Sequence, residues 1–466
     1  MRKLVRTGIA FSASLTVLAA TTVLPAAAMS LRDAVAIAVR TNPSIDAAQA
    51  SRYATDRVLD QAYGRYLPEV NLEADVGKQR IDRPNGFGPN DNDQWRTRRR
   101  AVLSFSQILF DGFERANSVY QAEARISAAA YTVLARSEIV ALNVAEAYID
   151  VVRHQRLLGD ARRNVSRHQQ LLNLVQARVS GGESATGDLE QTRERLQAAR
   201  ALVSQVQISL DTARARFKAV VGQPARKLQS VKPLKLGFRS VAAARRSAID
   251  ANPRLQALRS NIDVAGFERE KFSASLYPQI NLQGSAQAGQ DLEGTPGKSN
   301  ELRGVVVLRW KLFDGGVRQS RIAELTERQY AEIAQRDAFV RELSAEVETA
   351  WSRATVGRRQ VNAISRQLSQ NRSVVSSYRN EYEANRRSLL DVLDAENSRF
   401  ATEFDLSNAR AIQRFATYQL AANTGRLLDV LGIQRPAGSE GAVAAPAAPV
   451  PVRNRKRRTF IIPPLK

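Results

Sequence analysis

Cysteine is absent from the 466-residue chain, and aromatic residues make up only 6% of it. Without thiols there is no disulfide framework, no thiol catalysis and no lipid-modified N-terminal cysteine. Only two histidines occur, His154 and His168, and they form no HExxH or similar ligand set. Glycine-rich phosphate loops and GxSxG motifs are missing as well. We therefore expect neither an enzyme nor a site for a metal or another cofactor.

Acidic residues are outnumbered, because the chain has 46 Asp and Glu against 69 Lys and Arg, a net charge of +23. In a cytosolic protein this excess of positive charge would indicate binding to nucleic acid. The N-terminus predicts export instead, since Arg2, Lys3 and Arg6 precede a short apolar run that ends at the small residues Ala26–Ala28. We predict a secretory signal peptide at residues 1–28, and we expect acidic lipid or protein partners but no nucleic acid.

Long apolar runs are missing from the chain after its N-terminal run. No later stretch approaches the roughly 20 apolar residues that a membrane-spanning helix needs. The N-terminal run is itself short for a span, although an uncleaved membrane anchor stays an alternative to the signal peptide. We therefore expect no helix of the mature chain to cross a membrane.

What the chain does contain is a long internal repeat. Pro43 in the first half corresponds to Pro253 in the second, and each follows an asparagine. The motif LFDG also occurs in both halves. From its aspartates Asp111 and Asp314 onward, the copies keep an offset of 203 positions for more than a hundred residues. The chain is therefore a tandem duplication. We predict a first repeat at 29–224, a linker at 225–240, a second repeat at 241–433, and a basic tail at 434–466 that is disordered because of its Ala/Pro-rich composition.

Each repeat contains a helix, a β-hairpin, a very long helix and a shorter helix, in that order. Apolar residues at every third or fourth position predict the helices, and glycines or prolines end them. The two shorter helices together have about the length of the long one, so each repeat offers one continuous and one interrupted rod. The predicted bounds are hairpin 68–110, long helix 115–179 and helix 188–221, then hairpin 278–313, long helix to about 381 and helix 391–424.

The strands of both hairpins alternate between apolar and polar residues, which predicts a sheet with two different faces. In an exported chain without a membrane helix, such strands indicate an outer-membrane β-barrel. Backbone groups in lipid must all be paired and four strands are too few to close, so several copies must share one barrel. Two soluble hairpins that cap a coiled-coil protein stay an alternative. The alternation assigns these residues to the lumen: Glu69, Asn71, Glu73, Gln279, Asn281 and Gln283.

The duplicated Asn-Pro, Pro and LFDG pattern, together with SLLDVLDAEN at 388–397, resembles the TolC family of outer-membrane channel proteins over roughly residues 30–432. The resemblance implies a mainly α fold with a membrane β-barrel part. Three copies would form a 12-stranded barrel, four strands per chain, that continues into a periplasmic α-barrel tunnel. It also implies an exit duct for type I protein secretion or multidrug efflux. The implied partners are a periplasmic adaptor, an inner-membrane ABC or RND pump, and outer-membrane lipid.

The resemblance further implies two sets of functional residues at the periplasmic end. Asp391 and Asp394 correspond to aspartates that form rings of negative charge, which attract cations and reject anions. A helix cap is the alternative role of Asp391, since helix N-termini favour acids. Tyr382, Arg387 and Asp188 correspond to a tyrosine, an arginine and an aspartate whose links close the tunnel.

A periplasmic adaptor or another coiled-coil protein is the alternative class, because adaptors also contain long helical hairpins. An adaptor usually carries one hairpin flanked by compact β domains. Here there are two hairpins of helices, each preceded by a two-stranded unit, and this arrangement favours the channel.

Overall fold

The computed structural model describes residues 28–82, 93–235, 237–441 and 447–451 of the chain. The predicted signal peptide, apart from Ala28, and the basic run Arg453–Arg458 lie outside these residues. The helices are α1 Leu31–Thr41, α2 Pro43–Gly64, α3 Glu114–Ser180, α4 Thr186–Val221, α5 Val241–Ala251, α6 Pro253–Ser273, α7 Val317–Glu383, α8 Leu389–Asn423 and α9 Leu427–Val430. The strands are β1 Glu69–Arg80, β2 Trp95–Phe110, β3 Gln279–Gln290 and β4 Lys298–Arg309.

Some bounds differ from those that the sequence predicts, and local hydrogen bonds explain two of the differences. Helix α8 begins two residues early, at Leu389, because the Ser388 side chain caps its first turn. Strand β4 ends at Arg309, four residues before the predicted end of the hairpin, where the indole of Trp310 donates to the Leu276 carbonyl at 3.1 Å. The ladder therefore stops where the chain turns back toward the helices.

Helix α3 lies at the centre of the helical part. It packs against α2 and α4 of its own repeat and against α6 and α8 of the second repeat, while α7 lies beyond α6 and α8. Side by side in space, the helices therefore form four rods. The first consists of α2 and α4, the second of α3, the third of α6 and α8, and the fourth of α7. Helices α3 and α7 have 67 residues each, a length of about 100 Å. In the described ranges, no helix combines the length and apolar character that a membrane span requires.

Asparagine–proline pairs set the joints between the short helices. The Asn42 side chain accepts from the Ser44 amide at 3.0 Å, and the Asn252 side chain accepts from the Leu255 amide at 3.1 Å. The prolines that follow occupy the first helical position, where no amide hydrogen is needed. Asn252 also donates to the Asn423 carbonyl at 3.0 Å, which ties the start of α6 to the end of α8.

The four strands form one antiparallel sheet in the order β1-β2-β3-β4, so the middle pair joins the two repeats. The register aligns Leu72, Leu103, Ala286 and Leu302 on one face. Leu72 is 73% exposed and Leu302 is 87% exposed, so this apolar face is open. The residues that the sequence assigns to the lumen alternate with these along β1 and β3, and they lie on the opposite face. The outer edges of β1 and β4 have no partner strand within the described residues.

An aspartate–arginine pair closes the corner between the sheet and the long helix in both repeats. Asp111 accepts from Nε of Arg115 at 2.7 Å, and Asp314 accepts from Nε of Arg318, also at 2.7 Å. Each arginine also donates to the carbonyl of the residue seven positions before it, which is Ile108 near the end of β2 in the first repeat and Lys311 just after β4 in the second. Gly112 makes the first corner possible, since a Cβ there would lie 2.7 Å from the Ala274 carbonyl oxygen.

Residues 447–451 of the tail pack against the helices, although the composition predicts disorder for 434–466. The Ala448 amide donates to Asp263 at 3.1 Å, and Arg269 donates to the Pro449 carbonyl at 2.9 Å. Gly266 leaves the space that Ala448 fills, because a Cβ at Gly266 would come within 2.5 Å of the Ala448 Cβ. The composition of the tail could not predict this packing, because it contains no information about the space at Gly266 on α6.

The largest core lies midway along the rods, where the linker crosses α3 and α8. The Tyr148 hydroxyl lies 2.7 Å from the Met29 carbonyl oxygen and 3.0 Å from the Gln229 carbonyl oxygen, and its single hydrogen is shared between them, which holds the linker against α3. Beside this core, the Glu138 carboxylate accepts from the amides of Leu427 at 3.1 Å and Leu428 at 3.3 Å. Burial outweighs these bonds and raises the pKa of Glu138 to about 7.

We predict that Glu138→Gln flattens the dependence of stability on pH. The folded carboxyl keeps its proton up to about pH 7, whereas the unfolded one loses it near its ordinary value of 4.5. Raising the pH through this window therefore lowers the free energy of unfolding, by about 3 kcal/mol per chain for this group alone. Thermal unfolding in detergent at pH 5 and pH 7.5 measures the difference between variant and wild type.

The matched control is Glu146→Gln, since Glu146 lies at the surface in an ion pair of 2.8 Å with Arg216. This control should keep the wild-type pH dependence. An unchanged slope in Glu138→Gln contradicts the prediction.

Candidate functional site at the helix turns

The turns that join α3 to α4 and α7 to α8 lie together at the end of the rods farthest from the sheet. In each turn a residue adopts a left-handed conformation after the helix, Gly182 with φ 78° and Asn385 with φ 57°. The next amide then bonds back to a carbonyl of the last helical turn, at 2.8 Å in both repeats. Glycine and asparagine are the residues that tolerate this helix ending. The duplicated chain therefore ends in two turns of the same geometry.

Tyr382 joins the two turns from the inside. Its side chain is 4% exposed, and its hydroxyl lies 3.3 Å from the Ser184 hydroxyl of the first turn. Apolar residues from α3, α4 and α8 surround it, namely Leu171, Val175, Leu189, Leu389, Val392 and Leu393. Tyr382 is thus a core residue of the turn region.

Arg178 connects the two turns through several contacts, although the sequence patterns did not single it out. Its guanidinium donates to the carbonyls of Tyr382 at 3.4 Å and Glu383 at 3.3 Å, and to the Asn385 side chain. It also lies over the Tyr382 ring, 4.9 Å from the centroid. The internal repeat gave one sign that Arg178 has a role of its own, because the equivalent position in the second copy is the acidic Glu381.

Arg387 bonds within its own hairpin. It donates to Glu381 at 2.9 Å, lies 3.9 Å from Asp391, and covers the Tyr378 ring at 4.1 Å. The bond to Glu381 raises the pKa of Arg387. Asp188 lies half-exposed in the first turn of α4 and forms no ion pair among the described residues. Within one chain, the predicted set is therefore brought together only in part, since Arg387 and Asp188 do not meet.

Asp391 and Asp394 lie one turn apart at the start of α8. The Ser388 hydroxyl accepts from the Asp391 amide at 3.2 Å and donates to the Asp391 carboxylate at 2.7 Å, so Asp391 takes part in the helix cap. Its carboxylate stays 44% exposed in this role. Asp394 is exposed and has no ion-pair partner in the part of the chain that the structure describes. The two carboxylates thus add negative charge to this end of the rods.

Paired helical hairpins with interlocked turns at one end, and a two-faced sheet with free edges at the other, define an outer-membrane channel protein. The chain belongs to the outer membrane efflux protein family, which it matches over residues 35–223 and 244–426. The two matched segments fall one in each repeat. The family is one of transport channels, and the chain is an outer-membrane component of an export system that extends into the periplasm. The adaptor alternative is thereby set aside.

Two relatives and one solved structure illustrate the likeness. The outer membrane efflux protein BepC of Brucella suis is 24% identical, over 87% of this chain and 87% of its own. The outer membrane protein TolC of Vibrio cholerae is also 24% identical, over 83% of this chain and 88% of its own. A membrane protein from Pseudomonas aeruginosa has the same fold, with a TM-score of 0.77 at 17% identity over 84% of this chain and 90% of its own. The resemblance to the TolC family is confirmed.

We predict that Arg178→Met loosens the second turn. The variant keeps an apolar stem but loses bonds from a charged donor to three acceptors, each worth about 1.5 to 3 kcal/mol. Amide hydrogen exchange of residues 382–388 should therefore accelerate at least tenfold. Arg193→Met is the control, because Arg193 bonds only at the surface, to Glu190 at 2.7 Å. Equal exchange rates in both variants would show that Arg178 does not hold the turns together.

Proposed function

We propose that three copies of the chain form one exit duct, a 12-stranded β-barrel in the outer membrane that continues into a periplasmic tunnel of helical rods. The open edges of β1 and β4 carry this proposal. Each edge strand has 12 residues, and every second one turns its unpaired N–H and C=O to the free edge, which a membrane does not tolerate. Edge β4 of one copy can pair with edge β1 of the next, and closure after three copies gives a barrel within the usual size range.

The dimensions of the strands fit this assembly. Strands of 12 residues are about 40 Å long, and a tilt near 40° reduces their height to about 30 Å. That height matches the hydrocarbon core of a bilayer. The exposed apolar face then contacts outer-membrane lipid, and the polar face lines the lumen.

The order of the rods puts neighbouring turns next to each other in a trimer. Helix α7 has α6 and α8 on one side only, so the α2 and α4 rod of the next protomer follows it. Arg387 then approaches Asp188 of the neighbouring protomer, rather than Asp188 of its own chain. We infer that this pair, with the buried Tyr382 behind it, holds the periplasmic end closed.

Docking of a periplasmic adaptor and an inner-membrane pump, of ABC or RND type, opens the end in this proposal. A charge-assisted pair between protomers is strong in the closed state and can be replaced by contacts to a partner, so partner binding shifts the equilibrium toward the open state. Cargo then passes the carboxylates of Asp391 and Asp394. In a trimer these form two rings that favour cations.

The assembly is tested by the mass and shape of the detergent-extracted protein. Light scattering should give three chains per particle, and negative-stain electron microscopy should show a hollow cylinder longer than about 100 Å, as the helix rise requires. A monomer or a solid rod contradicts the proposed duct.

We predict that Arg387→Ser opens the resting channel. The substitution removes the positive partner of the proposed contact between protomers, so the current through planar bilayers should rise several-fold. Arg366→Ser, an exposed change in the second half of α7, is the control and should leave the current unchanged. Unaltered closure in Arg387→Ser rejects this gate.

In the same planar bilayers, Asp391→Asn combined with Asp394→Asn should instead lower the preference of the current for cations over anions.

A further inference from the structure

A small cavity lies where α3, α8 and the linker meet, and arginines dominate its wall. It has a volume of about 100 Å³. Its polar lining residues come from these three segments: Arg153, Arg156, Ser230, Ser407, Arg410 and Arg414. Positive charge is thus concentrated on one small space.

Acids neutralise only part of this charge. Arg153 is paired with Asp150 at 2.5 Å. The guanidinium groups of Arg156, Arg410 and Arg414 have no ion pair or hydrogen bond among the described residues. Asp160 lies close enough to act on Arg156 and Arg410, but its carboxylate is held by Arg163 and by Ser407.

Arg410 and Arg414 are partly buried, and they lie beside the like charge of Arg156, which is itself exposed. Burial, followed by the charge of Arg156, lowers the pKa of both Arg410 and Arg414. Charges withdrawn from water without partners destabilise a fold, unless a counter-charge accompanies them. Guanidinium groups match oxyanions in particular, because their planar donors form paired bonds to two oxygens.

We propose that this cavity binds one small tetrahedral oxyanion of the phosphate type. The volume of about 100 Å³ is that of a few water molecules, which suits such an ion better than a nucleotide or a peptide. Arg156 lies about 40 residues along α3 from Arg115 at the sheet corner, a distance of about 60 Å. A lipid headgroup in the membrane does not reach that far, so a free periplasmic anion is the ligand.

The bound anion connects three parts of the chain. Arg156 belongs to the first repeat, Arg410 and Arg414 belong to the second, and Ser230 belongs to the linker. An anion that bonds to these groups at once fastens α8 to α3 at the level of the central core. The oxyanion thus stabilises the contact between the two repeats, whether or not the chain forms a trimer.

The test compares thermal unfolding of the full detergent-extracted protein in chloride and in inorganic phosphate, at equal ionic strength and pH. Phosphate should raise the unfolding midpoint of wild type in a saturable way. Arg410→Gln and, separately, Arg414→Gln should weaken the apparent affinity for phosphate at least tenfold. Arg366→Gln, an exposed arginine on α7, should respond as wild type does. A parallel arm with short-chain phosphatidic acid distinguishes a lipid headgroup from the free anion.

Calorimetric titration of wild type with inorganic phosphate checks the same site without any variant. One saturable site per chain supports the proposal. Phosphate responses that are equal in wild type and in Arg410→Gln overturn it, and so does a response to phosphatidic acid without one to inorganic phosphate.

Discussion

The unpaired backbone at the two edges of the sheet is the constraint on which the rest of the architecture depends. A four-stranded sheet with an exposed apolar face fits a membrane only when each edge meets another chain. Strands β2 and β4 lead into helices about 100 Å long, and β1 and β3 follow the shorter helices α2 and α6, so edge-to-edge pairing also sets the helical rods side by side. The hollow helical tunnel is therefore a consequence of how the barrel closes.

Sheet and rods act as one body because the same corner is built twice. The pairs Asp111–Arg115 and Asp314–Arg318 have the same Nε–carboxylate distance, and each arginine also bonds to a carbonyl seven residues before it, close to the end of the preceding strand. Buried pairs of this kind are sensitive to loss of either partner, because the remaining charge is left without compensation. The direction in which each rod leaves the sheet is thus held by charge as well as by packing.

The turns show how duplicated positions have taken different roles. Position 178 is an arginine that reaches across to the second turn, whereas its equivalent Glu381 accepts from Arg387 within its own hairpin. Ser388 caps α8, but its equivalent Ala185 has no side chain with which to cap α4. The two hairpins therefore share a backbone fold and differ in their contacts, so that the second supplies Tyr382 and Arg387 to the proposed gate and the first supplies Asp188.

The sequence by itself determined the duplication, the order of helices and strands, the two faces of the strands and the place of the turns. These follow from periodicities and from glycine, asparagine and proline, which act over a few residues. The bond of Arg178 to the Tyr382 carbonyl, the slot at Gly266 for Ala448, and the cavity of Arg156, Arg410 and Arg414 were decided only by the tertiary structure. Each joins residues about 180 or more positions apart, and no local pattern records which side chains will meet across that distance.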